Sequence, residues 1–264
     1  MITLFNSEWE RLWSKRWTWL LVLAIPGLAY MTASFFESLQ VDHDTLSQLF
    51  VLTGLRNNLY FPVDIIMSVF AASIFTEEYR GGQLRYVFLR HFTRRQIFFS
   101  KVLLICVCIV LMLILFAISL VVTGYFFHFN EDGLLNYSLE ALSYTFVYYA
   151  WAFVSLLGIS SLFIFISMYS KNVTYAIGGC MLYILASLLL DGTVIQLAAL
   201  FSDIPLLELS ITYSLIPFLQ HTGLNEVIEG NTNVIVAILS VVVAHLIVFL
   251  WGAYHRFVKS DYLY

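Results

Sequence analysis

The sequence predicts an all-α membrane protein with six transmembrane helices and both termini on the cytoplasmic side. An N-terminal amphipathic helix and short helices in the last external loop complete it. Three observations predict this class. Hydrophobic residues make up 61% of the 264 residues and charged residues 11%, with a mean hydropathy of +0.86, too little polar surface for a soluble fold. Several apolar runs approach or exceed the roughly 20 residues that cross about 30 Å of hydrocarbon. Twelve of the thirteen Lys and Arg fall in segments that a six-span topology places on one face.

Residues 1–16 carry Phe5, Trp9, Leu12 and Trp13 at i, i+4, i+7 and i+8, with Glu8, Arg11 and Lys15 elsewhere on the wheel. That pattern predicts an amphipathic helix lying in the membrane interface. The spans read as 17–36, 59–75, 102–127, 141–169, 174–190 and 234–254. The first is loosened at Pro26-Gly27. Its apolar run is too long for a signal-peptide core, and no small-x-small cleavage site follows it. The second holds Pro62 and Asp64 at its start, and the fourth is long enough to require tilt.

Orientation follows from the Lys and Arg near span ends. Arg11, Lys15 and Arg16 precede span one; Arg80, Arg85, Arg90, Arg94, Arg95 and Lys101 lie between spans two and three. Lys171 lies between spans four and five, Arg256 and Lys259 follow span six, and Arg56 alone lies opposite. This face is therefore expected to be cytoplasmic. Cys106, Cys108 and Cys180 give no disulfide framework: the first two point in different directions on one helix and the third is remote.

Two segments outside the bilayer stand out. The stretch 76–101, TEEYRGGQLRYVFLRHFTRRQIFFSK, alternates basic with aromatic and aliphatic residues. Leu84, Val87, Phe88 and Phe92 would line one side of a short helix, and Gly81-Gly82 permits a sharp turn after span two. Docking on another protein, binding of anionic headgroups and an ordinary basic loop all fit this composition. The segment 191–233 is too apolar to float in water, with Leu206, Leu207, Leu209, Ile211, Leu215, Ile216 and Phe218. Pro205, Glu208 and Pro217 interrupt it too often for a seventh ordinary span. Short helices at the outer interface, or dipping in and returning, are expected.

The stretch after span two resembles the ABC-2 type family of ABC-transporter permeases. Glu78, Tyr79, Arg80, Gly82, Leu84 and Arg85 fit the family's E-Y/R-x-G-T-L-R run, and Arg90, Thr93, Arg94 and Lys101 fit the turn and lysine that follow. Gln83 stands where Thr is usual and His91 where Pro is usual. The likeness covers the whole chain as architecture, and about 25 residues as motif. It implies that residues 1–264 form one permease domain, with 1–16 as an elbow helix. Segment 76–101 would be the coupling segment, with Phe88 among its docking side chains. It implies a dimer of like or unlike permeases joined to two ATP-binding subunits, with ATP and Mg held by those partners. Apolar side chains would seat the coupling helix, and Arg and Glu would set its register. No G-x-x-x-x-G-K-[ST] phosphate loop occurs, so no ATP site is expected on this chain; no other cofactor, metal or nucleic-acid partner is expected either.

Two other classes compete. Glu77-Glu78 resembles the E-E-x-x-x-R start of CAAX-type membrane proteases, but Gly82 stands where Arg is required. His43, His91, His128, His221 and His255 are scattered, and a lone His245 within a span is more often satisfied by a neighbouring helix or water than bound to metal. A secondary transporter or channel would place ionisable groups at the midplane. Here Asp64 and Asp191 are expected near outer ends, where headgroups or water meet them. Tyr144, Tyr148, Tyr149, Ser155, Ser160, Ser161 and Tyr183 would give a pathway suited to an amphipathic peptide, drug or lipid-like cargo. Helix packing by the small residues is the simpler reading. Small permeases of this family commonly export such molecules, some in self-protection against antimicrobial peptides, and a bacterial plasma membrane is the expected location.

Overall fold

The computed structural model describes residues 2–38, 49–80, 93–127 and 139–259, with backbone alone at 2 and 77–80. Helix α1 (Ile2–Trp13) turns directly into α2 (Arg16–Ser38). Thr18 Oγ1 donates to the Leu12 carbonyl at 2.7 Å and Trp19 Nε1 to the Trp13 carbonyl at 3.2 Å, occupying carbonyls that the end of α1 leaves without helical partners. Helix α2 passes through Pro26 as one element. Helix α3 comprises Phe50–Asn58, a π-helical stretch Leu59–Val63 and Asp64–Arg80. Then come α4 (Arg94–Phe126), α5 (Leu139–Tyr169), α6 (Val173–Leu189), α7 (Asp191–Ala199) and α8 (Pro205–Thr212). Helix α9 comprises Ile216–Phe218, a π-helical stretch Leu219–Gly223 and Leu224–Ile228. Helix α10 comprises Thr232–His245, a π-helical stretch Leu246–Leu250 and Trp251–Lys259. No strand occurs among the described residues.

Local sequence explains several starts. Thr93 caps α4 in a capping box, accepting from the Gln96 amide at 3.3 Å while its own amide donates to Gln96 Oε1 at 3.0 Å. Asn172 caps α6 and Asn231 caps α10 in the same sense.

Among the described residues five helices are long and apolar enough to cross a membrane, and a sixth results if α6 and α7, bent by 56° at their junction, form one span. Helices α3 and α5 are central: 72% and 67% of their apolar windows are buried, against 28% for α2 and α10.

The second span departs from expectation, starting at Phe50 instead of Leu59. Asn58 reads as a loop residue, yet it is buried, donating to Thr32 Oγ1 at 2.7 Å and the Gly54 carbonyl at 2.8 Å. A satisfied amide removes the penalty that argues against such a residue in a span. Pro62 falls within the π stretch, where its missing N–H is accommodated without ending the helix.

The segment after α6 divides into two kinds of short helix. Helix α8 buries none of its residues, Leu206 among them, and Leu200 and Ile204 just before it are exposed. Helix α9 instead inserts between α3, α5 and α6, with Ile216, Leu219 and Gln220 fully buried. Gly158 permits that insertion: a Cβ there would lie 2.8 Å from Ile216 Cδ1 and 3.3 Å from Val242 Cγ1. Replacing Gly158 by Val should therefore cost about 1–3 kcal/mol through overpacking. Gly158→Ala, whose methyl meets movable side-chain ends, should cost less; thermal unfolding of the detergent-purified variants checks the order.

Candidate functional site

Four helix ends and α1 converge at one end of the bundle. Thr76 Oγ1 near the end of α3 donates to the Ser167 carbonyl of α5 at 2.8 Å. Arg94 Nη1 at the start of α4 donates to the Val258 carbonyl of α10 at 2.6 Å. Phe98 of α4 packs against Phe75 of α3 and against Tyr254 and Phe257 of α10. The chain leaves this end after Arg80 and returns at Thr93.

Helix α1 is fastened here by charge. Lys101 Nζ lies 2.9 Å from Glu8 Oε2 and 3.5 Å from the Ile74 carbonyl, and Arg11 also pairs with Glu8. The Glu8 and Lys101 side chains are only 3% and 1% exposed, so this is an ion pair shielded from water. Burial works to raise the Glu8 carboxyl. The Lys101 and Arg11 charges outweigh it and hold the carboxyl below the ordinary glutamate value.

Lys101, expected at the end of segment 76–101 as the lysine opening span three, sits within α4 and faces the bundle. The inward face of α1 is Leu4, Glu8 and Leu12, one row at four-residue spacing. Of the expected apolar residues, Leu12 belongs to that row. Phe5, Trp9 and Trp13 are half-buried and form a ring ladder that continues to Trp19. The acid breaking the apolar stripe of α1 was the available signal, but its partner lies 93 positions away in sequence.

The expected coupling residues fall mainly on residues that are not described. Glu78, Tyr79 and Arg80 form the last turn of α3, their side chains outside the described residues. Gly82, Leu84, Arg85, Phe88 and Arg90 lie outside them altogether. Arg94 is described, half-buried and bonded as above.

The expected pathway residues scatter: Tyr149 lines a groove beside α4, and others pack between helices. Tyr148, Ser155, Ser160 and Ser161 are buried between helices, and Ser161 donates to the Gly158 and His245 carbonyls. Tyr144 faces outward at 40% exposure. His245 Nδ1 meets the Val241 carbonyl of its own helix at 2.9 Å. The open spaces flank α4 instead. One apolar groove of about 350 Å³ runs beside Ile25, Phe70 and Met112, and another of about 490 Å³ beside Val51, Leu113, Phe146 and Tyr149. Asp64 also departs from expectation. It meets neither headgroups nor water but is fully buried, where Gln220 Nε2 reaches its Oδ1 at 3.3 Å.

The helices and their apolar spans define a multi-pass membrane protein. A family model described as ABC-2 family transporter protein matches residues 4–187, well over half of the chain. The chain belongs to the ABC-2 transporter family and is a membrane transport component of the permease class. The match runs from α1 through nearly all of α6. No curated protein matches the chain.

Removing one partner of the buried pair should be costly. Glu8→Leu strands the Lys101 ammonium and should lose about 3–5 kcal/mol, whereas Glu8→Leu with Lys101→Met should lie closer to wild type than either single change. Because the Glu8 carboxyl is held low, its contribution is complete above the ordinary glutamate range and is lost as pH falls through its lower native value. A double-mutant cycle on melting temperature, repeated at acid pH, checks both the size and the sign.

Proposed function

We propose that this chain is the transmembrane permease subunit of an ATP-driven exporter, with six spans and both termini cytoplasmic. Membership of the ABC-2 transporter family implies association with an ATP-binding subunit. In this reading two such subunits bind ATP and Mg, and a second permease, identical or homologous, completes the complex. The cargo is an amphipathic peptide, drug or lipid-like molecule, moved across or out of a bacterial plasma membrane. Self-protection against antimicrobial peptides is one physiological role that such a cargo would serve.

The observation that carries this reading is the tied end of the bundle. The segment from Glu78 to Arg94 joins α3 to α4 at that end. There α3 is bonded to α5, and α4 to both α1 and α10. A partner gripping that segment would move α3, the most buried span, against its neighbours. Helix α1 would follow through the Glu8–Lys101 pair. The apolar grooves beside α4 are open to the side, which supports lateral access by an apolar chain.

Gly82→Pro, or Arg85→Glu with Arg90→Glu, should leave the protein inserted but reduce transport by about tenfold or more, equivalent to about 1.4 kcal/mol of lost coupling. Cargo-stimulated ATPase activity should fall with it. Co-purification with the ATP-binding subunit, transport and ATPase rate are measured together on reconstituted protein. Unchanged transport and stimulation in both variants would remove the coupling assignment.

A further inference from the structure

Asp64 is a buried ionisable group that the transport reading leaves unused, and its partner Gln220 lies outside the family match. Asp64, Gln220 and Ser155 come from α3, α9 and α5, and all three are fully buried. Gln220 Nε2 donates to Asp64 Oδ1 and to Ser155 Oγ, both at 3.3 Å, while the Ser155 hydroxyl donates to the Ala152 carbonyl at 2.9 Å. Those contacts use every donor that the three side chains carry. Asp64 Oδ2 and Gln220 Oε1 are left buried without any partner. The cluster is short of a hydrogen, and a carboxylate supplies none, whereas a carboxylic acid supplies one.

No positive charge compensates Asp64 here. Among the described residues no Lys or Arg pairs with Asp64. Arg56, on the same helix, is exposed two turns earlier. Helix α5 presents Ser155 and Tyr148, whose hydroxyl also lacks a partner. Helix α6 presents Tyr183, which lies within electrostatic reach of Asp64 and accepts from the Ile216 amide at 3.3 Å. Helix α9 presents Gln220, with exposed His221 turned onto the Tyr60 ring, and Glu226 bonded to Tyr213. An oxygen-bound Ca²⁺ needs about six or more oxygens. No three His, Cys, Asp or Glu side chains converge among the described residues. An isolated carboxylate in such a site is very costly, and one proton removes that cost.

Two irregular helical stretches also meet at this place. The π stretch Leu59–Val63 just before Asp64 packs against the π stretch Leu219–Gly223 that carries Gln220. Such stretches are rare and concentrate at functional sites. The polar contacts that seat α9 on α3, α5 and α6 are all 3.3 Å, longer than ordinary hydrogen bonds.

We propose that Asp64 is a proton-binding site: the side chain is the neutral acid while α9 is seated between α3, α5 and α6, and it gives its proton to water when α9 withdraws. Seating takes up one proton, so low pH favours the seated helix and rising pH opposes it, by at most about tenfold per pH unit. The site rests on the helix packing and is independent of the ATP-driven reading.

The full-length chain in lipid nanodiscs, with ¹³C-labelled aspartate, tests this by infrared spectroscopy at neutral pH. A carboxylic-acid C=O band that shifts with the label and disappears in Asp64→Asn is expected. Hydrogen exchange of residues 216–228, corrected for intrinsic rate from about pH 5 to about pH 9, should show protection falling with pH in wild type. In Asp64→Asn it should stay flat, because the amide donates at every pH. Absence of the acid band in wild type, or the same pH dependence in both proteins, overturns the proposal. If the variant fails to accumulate, the labelled wild-type band decides: its absence overturns the site and its presence supports it.

Discussion

Lys101 and Glu8 meet at 2.9 Å with almost no access to water, and the order of one end of the molecule depends on that meeting. Either charge alone would have to be solvated or neutralised, since an unpaired ion in a low-dielectric interior is strongly destabilising. Together, and with Arg11 beside them, they fix the angle at which α1 crosses α4 and the end of α3. The pairing is a register device as much as a source of stability. Apolar surface alone would let an amphipathic helix slide along the interface, whereas a buried ion pair is satisfied at one position only.

The same economy of polar groups runs through the bundle. With 11% charged residues, each polar side chain inside the packing has consequences, and most find partners on neighbouring helices or on the carbonyl three or four residues back. Asn58 settles the start of α3 in this way, and Thr76 ties α3 to α5. Among the buried polar groups left without a partner, Asp64 and Gln220 stand together: their contact leaves one oxygen of each unsatisfied, at a point where two irregular helical stretches face each other. Unsatisfied polar atoms at a helix junction store the capacity for a second arrangement, which a fully satisfied core would lack.

Family membership and the internal ties at the α1 end bear on one another. The family match covers the helices that are bonded at that end, apart from α10, and stops before the inserted helix α9. The matched part thus contains α3 and α4 together with the bonds that tie them to α5 and α1. The part beyond it contains α9, which closes the other face of α3 and α5.

The amino-acid pattern by itself determined the class and the coarse layout. Apolar runs of span length are a property of composition and order, and do not depend on which helices touch. The family likeness was legible in residues 78–101 for the same reason. Pairing across the bundle decided the rest. A carboxylate beside Trp9 reads as surface until Lys101 arrives from another helix, and Asp64 after Pro62 reads as a span end until α9 covers it. Gln220 carries no signal at all in the sequence, because its meaning comes from a neighbour 156 positions away. Whether a polar residue in an apolar chain is a boundary or a buried contact depends on the free energy of its partner, and only the tertiary fold supplies partners.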